Sequence, residues 1–90
     1  MTALVLDASG ARFRVVLDTH TGVLDLDLAG AAELWVAGRL AGAGTWEGTG
    51  PGGHHREGTL RFTTPVPAGA NVELRLTGLP ADVIGAWTAP

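Results

Sequence analysis

The chain has 90 residues, 46% of them hydrophobic, which is enough for one domain with an apolar core and too short for two. Its formal net charge of −3 argues against a nucleic-acid partner, because phosphate binding usually requires a basic face. It contains no cysteine, so disulfides, thiolate metal sites and cysteine nucleophiles are excluded.

The first third of the chain alternates apolar and polar residues with a period of two, which predicts half-buried antiparallel strands. Residues 2–8 predict a first strand, and the turn at Ser9-Gly10 closes it. Residues 11–18 and 23–30 predict the next two strands. The loop THTG between them has a normal length for a hairpin, so we expect these two strands to pair.

One register of this hairpin satisfies both the apolar and the charged residues. It places Phe13 opposite Leu28 on the buried face and Arg14 opposite Asp27 on the wet face. Opposite charges directly across a strand pair stabilise it by roughly 0.2–1 kcal/mol.

The rest of the chain continues the pattern. Residues 31–40 are compatible with a short helix or a strand, and the β-favouring side chains in their middle favour a strand. Residues 58–64 and 71–77 alternate clearly and predict two more strands. Between them, 65–70 carries two prolines and a glycine and is expected to leave the sheet. Residues 81–87 predict the last strand.

About seven short strands with frequent turn signals indicate an all-β fold, either an antiparallel sandwich or a small barrel. We find no long amphipathic helix, no repeat and no interdomain linker in the sequence. We therefore expect one domain over residues 1–90, with a glycine-rich loop at 40–58 as its only low-complexity segment.

Two segments, DASGARF (7–13) and GTLRFTTPVPAGANVELRL (58–76), resemble small bacterial immunoglobulin-like β-sandwich domains. The shared features are an Asp-x-x-Gly-x-x-aromatic turn, a Gly-x-Leu-x-Phe strand, a proline-containing crossover and an alternating Leu-x-Leu strand. The resemblance implies an immunoglobulin-like sandwich that serves as a binding, adhesion or accessory module. It implies no catalytic residue, and the cysteine pair of antibody domains is missing.

His54 and His55 are the first candidates for chemistry, because histidine is the commonest metal ligand and titrates near neutral pH. In a flexible loop the two could share a metal ion with His20, Glu57 or Asp82 as a third ligand. These residues form no spaced ligand motif, however. The favoured interpretation is a solvated loop, with a pH-responsive contact as a further possibility, so we predict no metal site.

The sequence offers little for catalysis or phosphate binding. GTGPGGHHREG has glycines but lacks the Gly-Lys-Ser/Thr ending and the following helix of a phosphate loop. Ser9 is the only serine and lies in a predicted turn, with no histidine nearby in the sequence to activate it. Asp25 and Asp27 share one face of a predicted strand, as ordinary exposed residues do. We therefore expect a protein that is not an enzyme and has no cofactor.

The three tryptophans are candidates for binding or for packing. We expect Trp35 to fill the core and Trp87 to close the base of the sandwich. Trp46, among glycines and polar residues, either folds back as a lid on the core or is exposed. Exposed loop aromatics anchor protein partners and stack on sugar rings.

The sequence thus predicts a non-enzymatic binding or protein-interaction module. Its contact surface is expected at an exposed sheet edge or at the 40–58 loop, where Trp46, His54, His55 and Arg56 are the candidate binding residues. The expected partner is another protein or a second copy of the chain. The alternative is a small-ligand module that binds carbohydrate or a divalent metal through the same loop.

The sequence also gives an expectation for location. No segment approaches the roughly 18 apolar residues of a membrane span, and the N-terminus lacks the basic start of a signal peptide. If Met1 is the natural start, we expect a cytoplasmic protein that has no membrane partner.

Overall fold

A computed structural model describes residues 1–18, 27–49, 55–77 and 83–90. Within these ranges the chain forms eight strands and one four-residue helix. In chain order the elements are β1 (Thr2–Asp7), β2 (Gly10–Asp18), α1 (Leu28–Ala31), β3 (Ala32–Val36), β4 (Arg39–Leu40), β5 (Thr45–Gly48), β6 (His55–Phe62), β7 (Asn71–Leu76) and β8 (Val83–Thr88).

The strands form two antiparallel sheets of four. The first sheet has the order β1-β2-β6-β5, and the second sheet has the order β4-β3-β7-β8. The chain changes sheet three times: after β2, between β4 and β5, and between β6 and β7. The predicted all-β class is therefore confirmed.

The inner faces of the two sheets share one hydrophobic core, because every second residue of the central strands points inward. Phe13 of the first sheet lies with its ring centroid 5.0 Å from that of Trp87 in the second sheet. The largest fully buried apolar side chains of the core are Phe13, Val15, Leu28, Leu34, Leu60, Phe62, Val66, Val72, Leu74 and Leu76.

Two tight turns explain local features of the sequence. Gly10, which follows the β1–β2 turn, has a φ of 127°, and a Cβ there would collide with the backbone oxygen of Phe62. The β3–β4 turn consists of Ala37 and Gly38, with φ values of 51° and 79°. Two successive positive φ angles are typical of the two-residue hairpin turn that matches strand twist.

The predicted pairing of β2 with residues 27–30 is wrong. Both edges of β2 are occupied at the relevant positions, since Phe13 and Arg14 each pair with β1 on one side and β6 on the other. Leu28 instead lies buried in α1, and Asp27 directly precedes that helix. The remaining part of the predicted hairpin, including its loop, falls on residues 19–26 and lies outside the described residues.

The other predicted strands are found where the alternation placed them. Of residues 31–40, Ala31 ends α1, and the rest form the hairpin of β3 and β4, so the predicted strand is found and the short helix is not. The last strand, β8, is observed from Val83 onward, and the two preceding residues are outside the described ranges. Residues 40–58 are not a single loop, because they contain β5 and the first four residues of β6.

In the described part of the chain, no helix has the length and hydrophobicity that a membrane crossing requires.

Candidate functional site

The candidate residues of segment 40–58 lie on opposite faces of the first sheet. β6 begins at His55, three residues before the position expected from the sequence, so alternation already governs His55 and Arg56. His55 points to the outer face and is exposed, whereas Arg56 points inward and is only 1% exposed. His54 lies outside the described residues. The structure therefore brings Arg56 and Trp46 together and directs His55 away from them.

The buried Arg56 forms a cluster with the partly buried Trp46 and the exposed Thr49. Its Nε and Nη2 atoms donate to the carbonyl oxygen of Thr49 at 3.3 and 3.1 Å. The indole Nε1 of Trp46 donates to the same oxygen at 2.9 Å. The guanidinium carbon of Arg56 lies 5.6 Å from the centre of the Trp46 ring, within the range of a cation–π interaction.

Two glycines make room for this cluster. Gly48 of β5 and Gly58 of β6 are directly paired, and both lie on the inner face. A Cβ at Gly58 would approach the Trp46 ring to 2.9 Å, and one at Gly48 would approach it to 3.1 Å. Either glycine's Cβ would also collide with backbone of the opposite strand. These glycines are therefore packing positions in a strand pair.

Trp46 is partly buried and packs against the hydrophobic core. The sequence left open whether Trp46 folds back over the core or is exposed as an anchor for a partner. The structure favours the first interpretation. Its indole is occupied by the contacts with Arg56, Thr49 and the paired glycines, so it offers little surface for stacking a ligand.

His55 belongs to a charged network on the outer face of the first sheet. Its Nδ1 lies 2.5 Å from Oδ1 of Asp18, and its Nε2 lies 3.5 Å from Oε2 of Glu57. Glu57 also contacts Nη2 of Arg14 at 3.2 Å. The hydrogen bond to Asp18, followed by the charges of both carboxylates, raises the pKa of His55 above its ordinary value, although desolvation opposes the shift.

Within the described ranges, no group of three or more His, Asp or Glu side chains is arranged to hold a metal ion. Of the residues named as possible metal ligands in the sequence, His20, His54 and Asp82 lie outside those ranges.

Trp35 lies on the outer face of the second sheet, and the expectation that it fills the core is wrong. In β3, Leu34 and Val36 point into the core, so alternation turns Trp35 outward with Glu33. Trp35 is only partly buried and sits opposite Glu73 of β7 on one side and Leu40 of β4 on the other. Its Nε1 is buried and has no hydrogen-bond acceptor among the described residues.

An open concavity of about 590 Å³ lies beside Trp35. Its volume falls in the range of small-molecule sites, roughly 300–1,000 Å³. The lining residues come from the β3–β4 turn, from β3 and β7, and from β8 with its C-terminal end. They are Trp35, Gly38, Asn71, Val72, Glu73, Ala86, Trp87 and Thr88.

β8 is the outermost strand of the second sheet and is paired only with β7 in the described chain. The backbone N–H and C=O of Ala89 both point to the β7 side, where they bond Ala70 and Gly69. Because backbone groups alternate along a strand, Val83, Gly85 and Trp87 also bond toward β7. The backbone groups of Ile84, Ala86 and Thr88 therefore point to the open edge.

The sequence contained a signal for Trp35 but not for the β8 edge. The alternation of AELWV places Trp35 with Glu33 on the polar face, so the pattern itself argued for exposure. Strand order, which makes β8 an edge, depends on pairings between distant segments and has no local signature.

The two sheets form an antiparallel β-sandwich, and the outer face of the second sheet carries the partly buried Trp35 and the open concavity beside it. No family model, no curated protein and no solved structure matches this chain.

Proposed function

We propose that the chain is an immunoglobulin-like β-sandwich that works as a non-enzymatic protein-interaction module, and that its partner pairs with the open edge of β8. The strand orders β1-β2-β6-β5 and β4-β3-β7-β8 support the immunoglobulin-like assignment. They correspond to the A-B-E-D sheet and to a G-F-C sheet extended by C′ in that architecture.

The observation that carries the proposal is the contrast between β8 and the other edge strands of the described chain. β1 has a register irregularity between Ala3 and Val5, β4 has two residues, and β5 has four. Such short or irregular edges discourage pairing with another chain. β8 has six residues in continuous register, and its sequence VIGAWT contains neither charge nor proline.

Side chains on the outer face of β8 add apolar surface that a partner strand could contact. Ile84 points outward from β8 and is 54% exposed, beside the two small or polar positions Ala86 and Thr88. An extended partner segment would receive main-chain hydrogen bonds from alternate residues of β8 and apolar contact from Ile84. A second copy of the chain, joined β8 to β8, would satisfy the same requirements.

The alternative of a ligand site in segment 40–58 is less well supported, because Trp46 and Arg56 are already engaged with each other. The outer face near His55 is covered by paired charges, which water solvates well.

The test compares two lysine substitutions at opposite edges of the same sheet. Ile84→Lys places a charge beside the open edge, whereas Leu40→Lys changes an equally exposed apolar residue, 57% against 54%, on β4. We expect the wild-type protein to form a defined complex, either with itself by light scattering over a concentration series or with a crosslinked partner from its source cells. Ile84→Lys should abolish the complex, and Leu40→Lys should preserve it.

Ala86→Pro gives a second, backbone-directed test. The Ala86 N–H points away from β7, so proline removes a donor from the open edge without removing a bond within the sheet. A complex that survives both Ile84→Lys and Ala86→Pro would contradict edge pairing. A wild-type protein that stays monomeric and crosslinks to nothing would contradict the interaction function itself.

A further inference from the structure

We propose that the concavity beside Trp35 is a binding site for a neutral oligosaccharide, with the indole of Trp35 as the stacking platform. This site is separate from the backbone edge of β8, and the inference does not rest on the proposed protein-interaction function.

The concavity has one large side chain, Trp35, at its border and small residues, Ala86 and Gly38, around it. Trp35 rises from β3 on one side, and Glu73 of β7 lies next to it in the middle of the sheet. Across β7, the residue opposite Glu73 is Ala86, whose methyl group leaves the space over the strand open. At the end of the site Gly38 adds no side chain, and a Cβ there would meet nothing within 4 Å. The indole therefore borders free space.

Trp35 supplies an apolar flat surface at this position. A pyranose ring presents several C–H groups on one face, and such groups pack on the electron-rich face of an indole. A site that combines an aromatic wall with a few polar groups is the usual construction of a small-ligand site. Of the three tryptophans, Trp46 and Trp87 pack on the core, whereas Trp35 does not.

The polar groups of the floor are balanced in charge. Nη2 of Arg75 donates to both carboxylate oxygens of Glu73 at 3.4 Å, and its Nε lies 3.4 Å from Oε1. Because Arg75 neutralises Glu73, the site attracts neither an anion nor a cation strongly. These contacts are long, so the carboxylate retains capacity to accept hydrogen bonds.

Two further groups suit hydroxyls rather than charges. Asn71, at the start of β7, has an amide that can donate and accept, and Thr88 of β8 lies directly opposite it in the register. Carbohydrate hydroxyls both donate and accept, so they match an amide, a hydroxyl and a neutralised carboxylate. A proline-rich peptide would instead require parallel aromatic ridges, and Trp35 is the sole aromatic side chain on this face in the described chain.

The buried Nε1 of Trp35 supports a role other than packing. Among the residues that the structure describes this N–H has no acceptor, and because an unsatisfied donor is unfavourable, a tryptophan that served stability alone would be expected to satisfy it.

The test uses four neutral trisaccharides of different linkage as probes: cellotriose, xylotriose, chitotriose and maltotriose. Each is titrated into the full chain while tryptophan fluorescence and heat are recorded. We expect at least one to bind, with a change in fluorescence. Trp35→Ala should weaken that binding by about tenfold or more, since a stacked aromatic platform contributes on the order of one factor of ten. Asn71→Ala should also weaken sugar binding, and because this variant keeps Trp35, its binding can still be followed by fluorescence.

The matched controls are Trp46→Phe, which alters a tryptophan that packs on the core, and Ile84→Lys, which alters the β8 edge. Both should bind the sugar as the wild type does, so failure of this inference is distinguishable from failure of edge pairing. If Trp35→Ala does not fold, indole N–H resonances of the wild type decide the question. The signal of Trp35 should move on titration, whereas those of Trp46 and Trp87 should not. Absence of binding to all four sugars, or binding that leaves the Trp35 signal unmoved, would overturn the proposal.

Discussion

Replacing Arg56 by lysine tests whether the cluster of Arg56, Trp46 and Thr49 stabilises the fold. The substitution keeps the positive charge but removes the planar guanidinium, which makes two hydrogen bonds to Thr49 and lies over Trp46. A lysine ammonium is more strongly hydrated and cannot reproduce the forked geometry. Because the position is only 1% exposed, water cannot compensate for the lost contacts.

The expected loss follows from the contacts that lysine cannot make. A lysine ammonium can still lie over the Trp46 ring, but it cannot make both hydrogen bonds of the guanidinium fork, and a hydrogen bond from a charged donor contributes about 1.5–3 kcal/mol. Lysine can retain one hydrogen bond, so we expect a loss of roughly 2–3 kcal/mol in the free energy of unfolding. A chain of 90 residues has about 5–13 kcal/mol in total. At about 4–8 °C per kcal/mol, Tm should fall by roughly 10–20 °C.

The measurement is thermal and urea unfolding followed by circular dichroism, with Arg12→Lys as the control on the exposed outer face of the same sheet. The control should change the unfolding free energy by less than about 0.5 kcal/mol. Trp46→Leu, alone and combined with Arg56→Lys, completes a double-mutant cycle. Its coupling energy should be about 1–2 kcal/mol. If Arg56→Lys has the same Tm and the same unfolding free energy as Arg12→Lys, the cluster does not stabilise the fold and the reasoning is wrong.

Two further predictions concern a titrating contact and a turn. The pKa of His55 is raised above 6.5 in the folded state, so its pairing with Asp18 stabilises the fold fully below pH 6.5 and is lost as the pH rises through the raised value. The Tm difference between wild type and His55→Gln should therefore be largest at mildly acidic pH, where His55 is charged, and vanish in alkali; a pH-independent difference would exclude this linkage. Gly10→Ala should lower the unfolding free energy by about 3 kcal/mol or more, because it combines a strained φ with a collision against Phe62. Gly69→Ala, with a φ of 78° but open space, should cost only about 1 kcal/mol, and equal losses in the two variants would rule out the collision.

Alternation along the sequence predicted the strands well because it reports a local property, namely which side chains can face a core. It placed β1, β2, β7 and most of β6 correctly, and it favoured a strand for residues 32–36. It could not identify which strands pair. The predicted partner for Phe13 was plausible in charge and hydrophobicity, yet both edges of β2 are taken by β1 and β6. Several apolar strands can satisfy one register equally well, and only the whole fold selects among them.

The candidate site was predicted less well, for a related reason. Glycine-rich composition indicated a loop, but Gly48 and Gly58 are strand residues that accommodate an indole. Extending the alternation of β6 backward from Leu60 would have turned Arg56 inward and His55 outward. The composition suggested that His55 and Arg56 are both polar loop residues. Because neighbouring residues of a strand point to opposite faces, β6 instead directs them to opposite sides of the sheet. A buried arginine beside Leu17 in the register is not visible from composition.

The burial of Arg56 and the exposure of Trp35 together shift the expected contact surface from the first sheet to the second. A ligand at Trp46 would have to displace a guanidinium and break hydrogen bonds to the Thr49 carbonyl, which would leave buried polar groups unsatisfied. On the outer face of the first sheet, a partner would have to desolvate charges that are already paired, such as Arg14 with Glu57. A ligand on the second sheet would also cover an ion pair, Glu73 with Arg75, but Trp35 borders open space there and the β8 backbone is paired on one side within the described chain. A partner or ligand that needs apolar contact therefore has its least expensive approach there.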